Sequence, residues 1–257
     1  ALEPDEPIAH LARRLRALQP THGLDLHGSL RSAALRVLVP GRWSGYAKRK
    51  LARALLVATK LDLYSGGVPV AERYFEAARR LDVRPDGDPP EFFLGAAAKD
   101  RVARWLGERG LVREGGAPIA ALAPGAAHAT KRWPISHWQA LAERLREVGY
   151  RLVVVGGPED RGAASQLAPL AESAAGEFTL QETGACLAHA KVLVSGDTGV
   201  MHMATGVGTP VVALFGPTVR AFGFFPYHAR APVLAQDLTC RPCSTMGPAR
   251  CPLGHHR

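Results

Sequence analysis

The chain has 257 residues, 47% of them hydrophobic, and its 32 Lys and Arg against 23 Asp and Glu give a formal charge of +9. That size and apolar content suit one large or two ordinary packed domains. No run reaches the roughly twenty apolar residues of a membrane-spanning helix, and the opening ALEPDEPIAH lacks the basic-then-apolar order of a signal peptide, so a globular, cytoplasmic protein is expected. The positive balance favours an anionic partner, whether a phosphorylated substrate, an anionic membrane surface or nucleic acid, with an ordinary solvated basic surface as the alternative.

Apolar residues at helical spacing predict amphipathic helices over 8–18 (IAHLARRLRAL), 69–81 (PVAERYFEAARRL) and 98–110 (AKDRVARWLGERG). GLDLHGSLRSAALRVL, after the first of these, reads as a short strand, a glycine-containing loop and a helix, so the first hundred residues are expected to be mostly helical. REGGAPIAALAPGAA then changes the texture and sets a domain boundary near 113–117, dividing the chain into 1–113 and 117–257. Beyond it, short apolar runs predict strands at 118–124, 151–157, 191–197 and 209–217, with helices at 136–148, 159–172, 180–190 and 199–207. Continuously apolar strands alternating with helices indicate a doubly wound parallel sheet, whose ligands bind at the carboxyl ends of the strands.

The most informative stretch is SGDTGVMHMATGVGTPVVALFGPT at 195–218. Gly196-Asp197-Thr198-Gly199 makes a tight turn from a strand into a helix. Asp197 or Thr198 is expected to cap that helix, leaving its first N–H groups and dipole as a phosphate site. His202, three residues on from Gly199, can donate at the same mouth; plain strand-turn-helix punctuation is the alternative. The whole string resembles glycosyltransferase family 9, the lipopolysaccharide heptosyltransferases, through D-[ST]-G-x-x-H-x-A, G-x-P and FGPT: Asp197, Thr198, Gly199, His202, Ala204, Gly208, Pro210 and Phe215 to Thr218 match.

APGAAHATKRWPISHWQALAERL at 123–145 is similar to the family's segment with a Lys-x-Trp-Pro core, which makes Lys131 a point charge for the donor diphosphate, with Trp133 and Pro134 shaping the loop. Ala126 and Ala127 depart from the pattern, since several members carry small hydroxyl residues there. Glu159, in Gly156-Gly157-Pro158-Glu159, matches the position of a carboxylate that accepts from the donor ribose hydroxyls; a first-turn helix residue favoured by the dipole is the alternative reading. LDLHGSLRSAAL at 24–35 resembles the acceptor loop, with Arg31 expected to grip an acidic acceptor beside Asp25, His27 and Ser29.

Cys240, Cys243 and Cys251 crowd the C-terminal end in a C-x2-C-x7-C-x3-H pattern completed by His255, with His256 adjacent. Three thiolates and an imidazole suit a structural zinc, and the spacing argues against a disulfide scaffold. Cys186 is expected in the core.

The resemblance implies a GT-B architecture of two doubly wound domains facing a cleft, acceptor side first and donor side second. It further implies inverting transfer of heptose from ADP-heptose to the anionic inner core of lipopolysaccharide, with no cofactor required, and contact with the inner membrane face. Members normally carry a Gly-Asp loop with the catalytic base, and none precedes LDLHG, so the chain is expected to be a fragment with an incomplete first domain. A related transferase using another nucleotide sugar is the nearer alternative. A non-catalytic sugar-nucleotide binder or a zinc-dependent nucleic-acid module is the more distant one, and no aromatic-interleaved basic patch supports nucleic acid.

Overall fold

The computed structural model describes residues 6–63, 68–112 and 115–255. The N-terminal part runs α1 (Ile8–Ala17), β1 (His22–Asp25), α2 (Leu30–Leu38), β2 (Arg42–Gly45), α3 (Lys50–Thr59), α4 (Val70–Ala78) with a 3-10 turn at Arg79–Leu81, and α5 (Ala96–Glu108). Strands β1 and β2 form a two-stranded parallel sheet. The helices at 8–18, 69–81 and 98–110 lie where apolar spacing put them. Strand β2 and helix α3 were not foreseen.

The rest alternates β3 (Ile119–Ala123), α6 (Ile135–Glu147), β4 (Arg151–Val154), α7 (Arg161–Ser165), β5 (Glu172–Ser173), α8 (Leu180–His189), β6 (Ala190–Gly196), α9 (Gly199–Gly206), β7 (Val211–Leu214) and β8 (Val233–Leu234). All six strands are parallel, in the order β5-β4-β3-β6-β7-β8. The central strand β3, Ile-Ala-Ala-Leu-Ala, is buried throughout, as a strand covered on both faces must be. Its residues alternate between two cores. Ile119, Ala121 and Ala123 join Trp105, Leu187, Met201 and Phe215 on one face, while Ala120 and Leu122 join Trp138, Leu152 and Leu167 on the other.

The helix expected over 159–172 is shorter. A 3-10 turn at Pro158–Asp160 leads into five helical residues, and Pro169, which cannot continue a helix, lies in the turn before β5. The division expected at 113–117 falls partly on Arg113 and Glu114, outside the described residues. Helix α5, assigned by that division to the first unit, contributes Val102, Trp105 and Leu106 to the core beneath the second sheet.

The N-terminal helices join the larger unit through the 220–224 loop between β7 and β8. Arg73 of α4, 1% exposed, donates to the carbonyls of Val68, Ala221 and Phe222. The Arg53 guanidinium of α3 stacks 5.5 Å from the Phe222 ring centre, beside Leu56.

Candidate functional site

Strand β3 leads to β4 on one side, and the chain returns as β6 on the other, so the topological switch point lies between β3 and β6. Ligand crevices in such sheets open there, at the carboxyl ends of the strands. The β3–α6 loop and the turns after β6 and β7 meet at this point, and their close approach favours glycine. A side chain on Gly196 would stand 3.2 Å from the Lys131 carbonyl oxygen, and one on Gly216 would stand 3.0 Å from that of Thr130.

Lys131 Nζ lies 2.5 Å from Asp197 Oδ2, the two side chains being 14% and 9% exposed. Thr218, from the FGPT string, donates its hydroxyl to the same oxygen at 3.1 Å. The Asp197 carboxylate therefore organises a cation and a hydroxyl. Thr198 stands at the N-cap of α9 in extended backbone, yet α9 has no side-chain cap: the Thr198 hydroxyl pairs with Ser195 Oγ at 3.0 Å. This corrects the expectation that Asp197 or Thr198 caps the helix. A side chain at Gly199 would meet nothing within 4 Å, so α9 opens to free space at its first residue, while Met201 in the same turn is buried.

His202 sits on the exposed side of α9, in the electrostatic reach of this pair. Crowding by protein atoms disfavours its charged form; Asp197 opposes that effect and Lys131 reinforces it, so its pKa falls below the ordinary histidine value. Lys131 and Asp197 thus meet at the N-terminal end of α9, with His202 on that helix. A cavity of about 590 Å³ opens beside Lys131, between the β3–α6 loop (Trp133, Pro134) with His137 of α6 and the ends of β7 and β8.

Glu159 lies at the end of β4, exposed in the Pro158–Asp160 turn, with its carboxylate folded toward Gly157. Its neighbour Asp160, which sequence reading passed over, does more locally. Asp160 Oδ2 accepts from the Gly157 N–H at 2.9 Å, and the carboxylate packs so closely on the β3–α6 loop that a side chain on Gly125 would come within 1.8 Å of Oδ1. Burial pushes the Asp160 carboxyl up, the Gly157 N–H opposes, Glu159 adds and Arg132 opposes. The available signal was the set of paired glycines, Gly125 after β3 and Gly156-Gly157 after β4.

In the N-terminal loop, Ser29 caps α2 in a reciprocal capping box with Ser32. Asp25 ties the loop by accepting from the N–H groups of His27 at 3.0 Å and Gly28 at 2.7 Å and from the Ser32 hydroxyl at 3.0 Å. Burial opposes ionisation of Asp25, but the Gly28 N–H, Ser32, His27 and Arg36 together hold its carboxyl below the usual range. Arg31 donates to the backbone carbonyl of Glu6. Of the two residues expected to meet an acceptor, Ser29 closes the loop onto α2 and Arg31 ties α2 to the residue ahead of α1.

Cys240, Cys243, Cys251 and His255 line one cavity of about 30 Å³ together with Thr130, Gly216 and Pro217. Cys240 Sγ lies 3.5 Å from His255 Nε2. Burial and the neighbouring Cys240 raise the pKa of the Cys243 thiol. As these side chains stand, no group of three or more His, Cys, Asp or Glu among the described residues is placed to hold a metal ion, contrary to the zinc set expected from the spacing; His256 lies outside those residues. Cys186 is buried in the core, and burial pushes its thiol up to about 12.

The family described as glycosyltransferase family 9 (heptosyltransferase) matches residues 8–251. Lipopolysaccharide heptosyltransferase 1 of Pseudomonas aeruginosa is 33% identical over 194 residues, 71% of this chain and 54% of that protein, so the chain spans about half the relative's length. The structure of the Escherichia coli ADP-heptose lipopolysaccharide heptosyltransferase II aligns with a TM-score of 0.67 and 26% identity, covering 88% of this chain and 72% of that one. A family 9 glycosyltransferase from Veillonella parvula aligns with a TM-score of 0.72 and 23% identity, covering 89% and 66%. The fold is of the GT-B type. The chain belongs to glycosyltransferase family 9, the heptosyltransferase family.

Proposed function

We propose that this protein moves a heptose from ADP-heptose to the inner core of lipopolysaccharide with inversion, and that the mouth around Lys131 and Asp197 binds the donor. The observation that carries the donor assignment is the Lys131–Asp197–Thr218 array, placed at the switch point beside the uncapped N-terminus of α9. The donor is taken from family membership and from the substrates named for its relatives.

In the proposed transfer an acceptor hydroxyl attacks the anomeric carbon, forming the new C–O bond as the bond to the β-phosphate oxygen breaks and ADP leaves. Negative charge growing on that phosphate meets the Lys131 ammonium, the N–H groups of α9 and the His202 ring. Asp197 acts on Lys131 rather than on the phosphate: an anion beside a diphosphate is repulsive, but one that fixes an ammonium is useful. Glu159 is assigned the ribose hydroxyls, since a carboxylate only accepts hydrogen bonds. Arg31 and Ser29 are assigned the acceptor side. The base that takes the acceptor proton is assigned to no residue described here.

Among the described residues no helix is long and apolar enough to cross a membrane. With a charge of +9, contact with the anionic cytoplasmic face of the inner membrane fits a lipid-linked acceptor. Calorimetric titration of the purified chain with ADP and then ADP-heptose tests the donor assignment. Micromolar binding, weakened tenfold or more by Lys131→Ala and by Asp197→Ala, is expected. A folded chain that binds neither ligand, or binds both regardless of these substitutions, refutes it. Tighter binding of another nucleotide sugar selects the alternative of a related family 9 transferase.

A further inference from the structure

The C-terminal segment 240–248 lies across both loops that build the donor mouth. The Thr130 hydroxyl donates to the Pro248 carbonyl at 2.6 Å, the Cys243 N–H to the Pro217 carbonyl at 3.1 Å, and Arg241 to the Thr218 carbonyl at 2.7 Å. Gly247, at φ +98°, is pressed so closely on Pro217, Thr130 and Lys131 that an added side chain would meet each at 3.2–3.3 Å. The residues seated beside Lys131 and Thr218 are thus interleaved in sequence with the thiols of the cysteine cluster.

We propose that Cys240, Cys243, Cys251 and His255 bind one soft divalent cation of the zinc type, and that its binding clasps this segment onto the loops carrying Lys131 and Thr218. The clasp half rests on the donor-site reading above; the metal half does not. Bond lengths of about 2.3 Å to sulfur and 2.05 Å to nitrogen in a tetrahedron give edges of about 3.6 Å from sulfur to nitrogen and about 3.8 Å from sulfur to sulfur. The Cys240–His255 separation of 3.5 Å matches the first edge. Cys243 lines the same cavity as that pair. Cys251 lines it too. All three cysteines are thiols rather than disulfides. Completing the set takes side-chain rotation within that cavity, with release of the thiol protons to solvent as the sulfurs bind.

The test is titration of the reduced chain with Co²⁺, followed by thiolate-to-cobalt absorption and by metal content after Zn²⁺ exchange. One equivalent is expected, with affinity falling at least tenfold in Cys243→Ser and in Cys251→Ser and holding in Cys186→Ser. Hydrogen exchange at 128–132 and 216–218 should slow when metal binds, and chelation should weaken ADP binding several-fold, reversibly on adding Zn²⁺. Absence of the thiolate band, or cobalt binding indifferent to Cys243→Ser and Cys251→Ser, overturns the metal site. Stoichiometric metal that leaves hydrogen exchange in both loops unchanged overturns the clasp. A chain that binds metal and slows exchange yet never binds ADP overturns the donor reading and leaves this inference standing.

Discussion

Replacing Lys131 by Met keeps most of the aliphatic stem and deletes the charge that sits 2.5 Å from Asp197. The carboxylate then keeps the Thr218 hydroxyl as its remaining described side-chain donor, in a setting where it is 9% exposed. Orphaning one partner of a fully buried pair costs about 3–5 kcal/mol. The Lys131 side chain is 14% exposed, so water reaches the vacated site, and about 2–3 kcal/mol is the better expectation. For a protein of this size that lowers Tm by roughly 4–12 °C. The assay is a double-mutant cycle of Lys131→Met, Asp197→Asn and the double variant by urea unfolding and calorimetry. The double variant should be less destabilised than the sum of the singles, with a coupling of about 1.5–3 kcal/mol. A coupling under about 0.5 kcal/mol, or a Lys131→Met chain as stable as wild type, refutes the claim that the two residues form one shielded unit.

Thr218→Val should cost about 1 kcal/mol of stability and weaken ADP binding less than Lys131→Ala does, by urea unfolding and calorimetry. Gly125→Ala drives a methyl group into the Asp160 carboxylate and should destabilise by about 1–3 kcal/mol; a second change, Asp160→Gly, should recover most of the loss in thermal unfolding. His202 has a folded pKa below its unfolded value, so the unfolded chain takes up its proton first as pH falls. Stability should therefore drop from about pH 6.5 down to the lowered folded pKa, and His202→Gln should flatten that part of the stability profile. Arg73→Leu leaves three carbonyls, two of them buried, short of a donor and should cost about 3 kcal/mol or more, measured as earlier release of the N-terminal helices in hydrogen exchange.

Where the fold was legible, one strong periodicity carried it. The strands β3 and β7 are unbroken apolar runs, and β4 and β6 carry the apolar runs Leu152–Val154 and Val192–Val194, which is the pattern of a sheet covered on both faces. Strands β5 and β8 have two residues each and β2 is Arg-Trp-Ser-Gly, too short or too polar to announce themselves. Helix α5 carries a clear helical stripe, but spacing says only that a face is apolar, not which sheet it covers. At the site, Lys131 and Asp197 were legible as motif residues, whereas their pairing depends on two loops 66 positions apart meeting over Gly196 and Gly216. Asp160 was missed because its task is set by the absent side chains of Gly125 and Gly156, which no pattern of apolar residues encodes.

The hydrogen bond from Thr130 to Pro248 joins positions 118 residues apart, the first of them just after the first strand of the large sheet. During synthesis the Lys131 loop emerges long before the segment that braces it, so the mouth cannot take its final shape until residue 248 has left the ribosome. The sheet can nucleate on β3, β4 and β6 well before that moment, since their pairing spans much shorter lengths of chain. Competence to hold an anion would then be acquired last, after the scaffold is already stable, and a nascent chain would present a formed sheet with an unfinished rim.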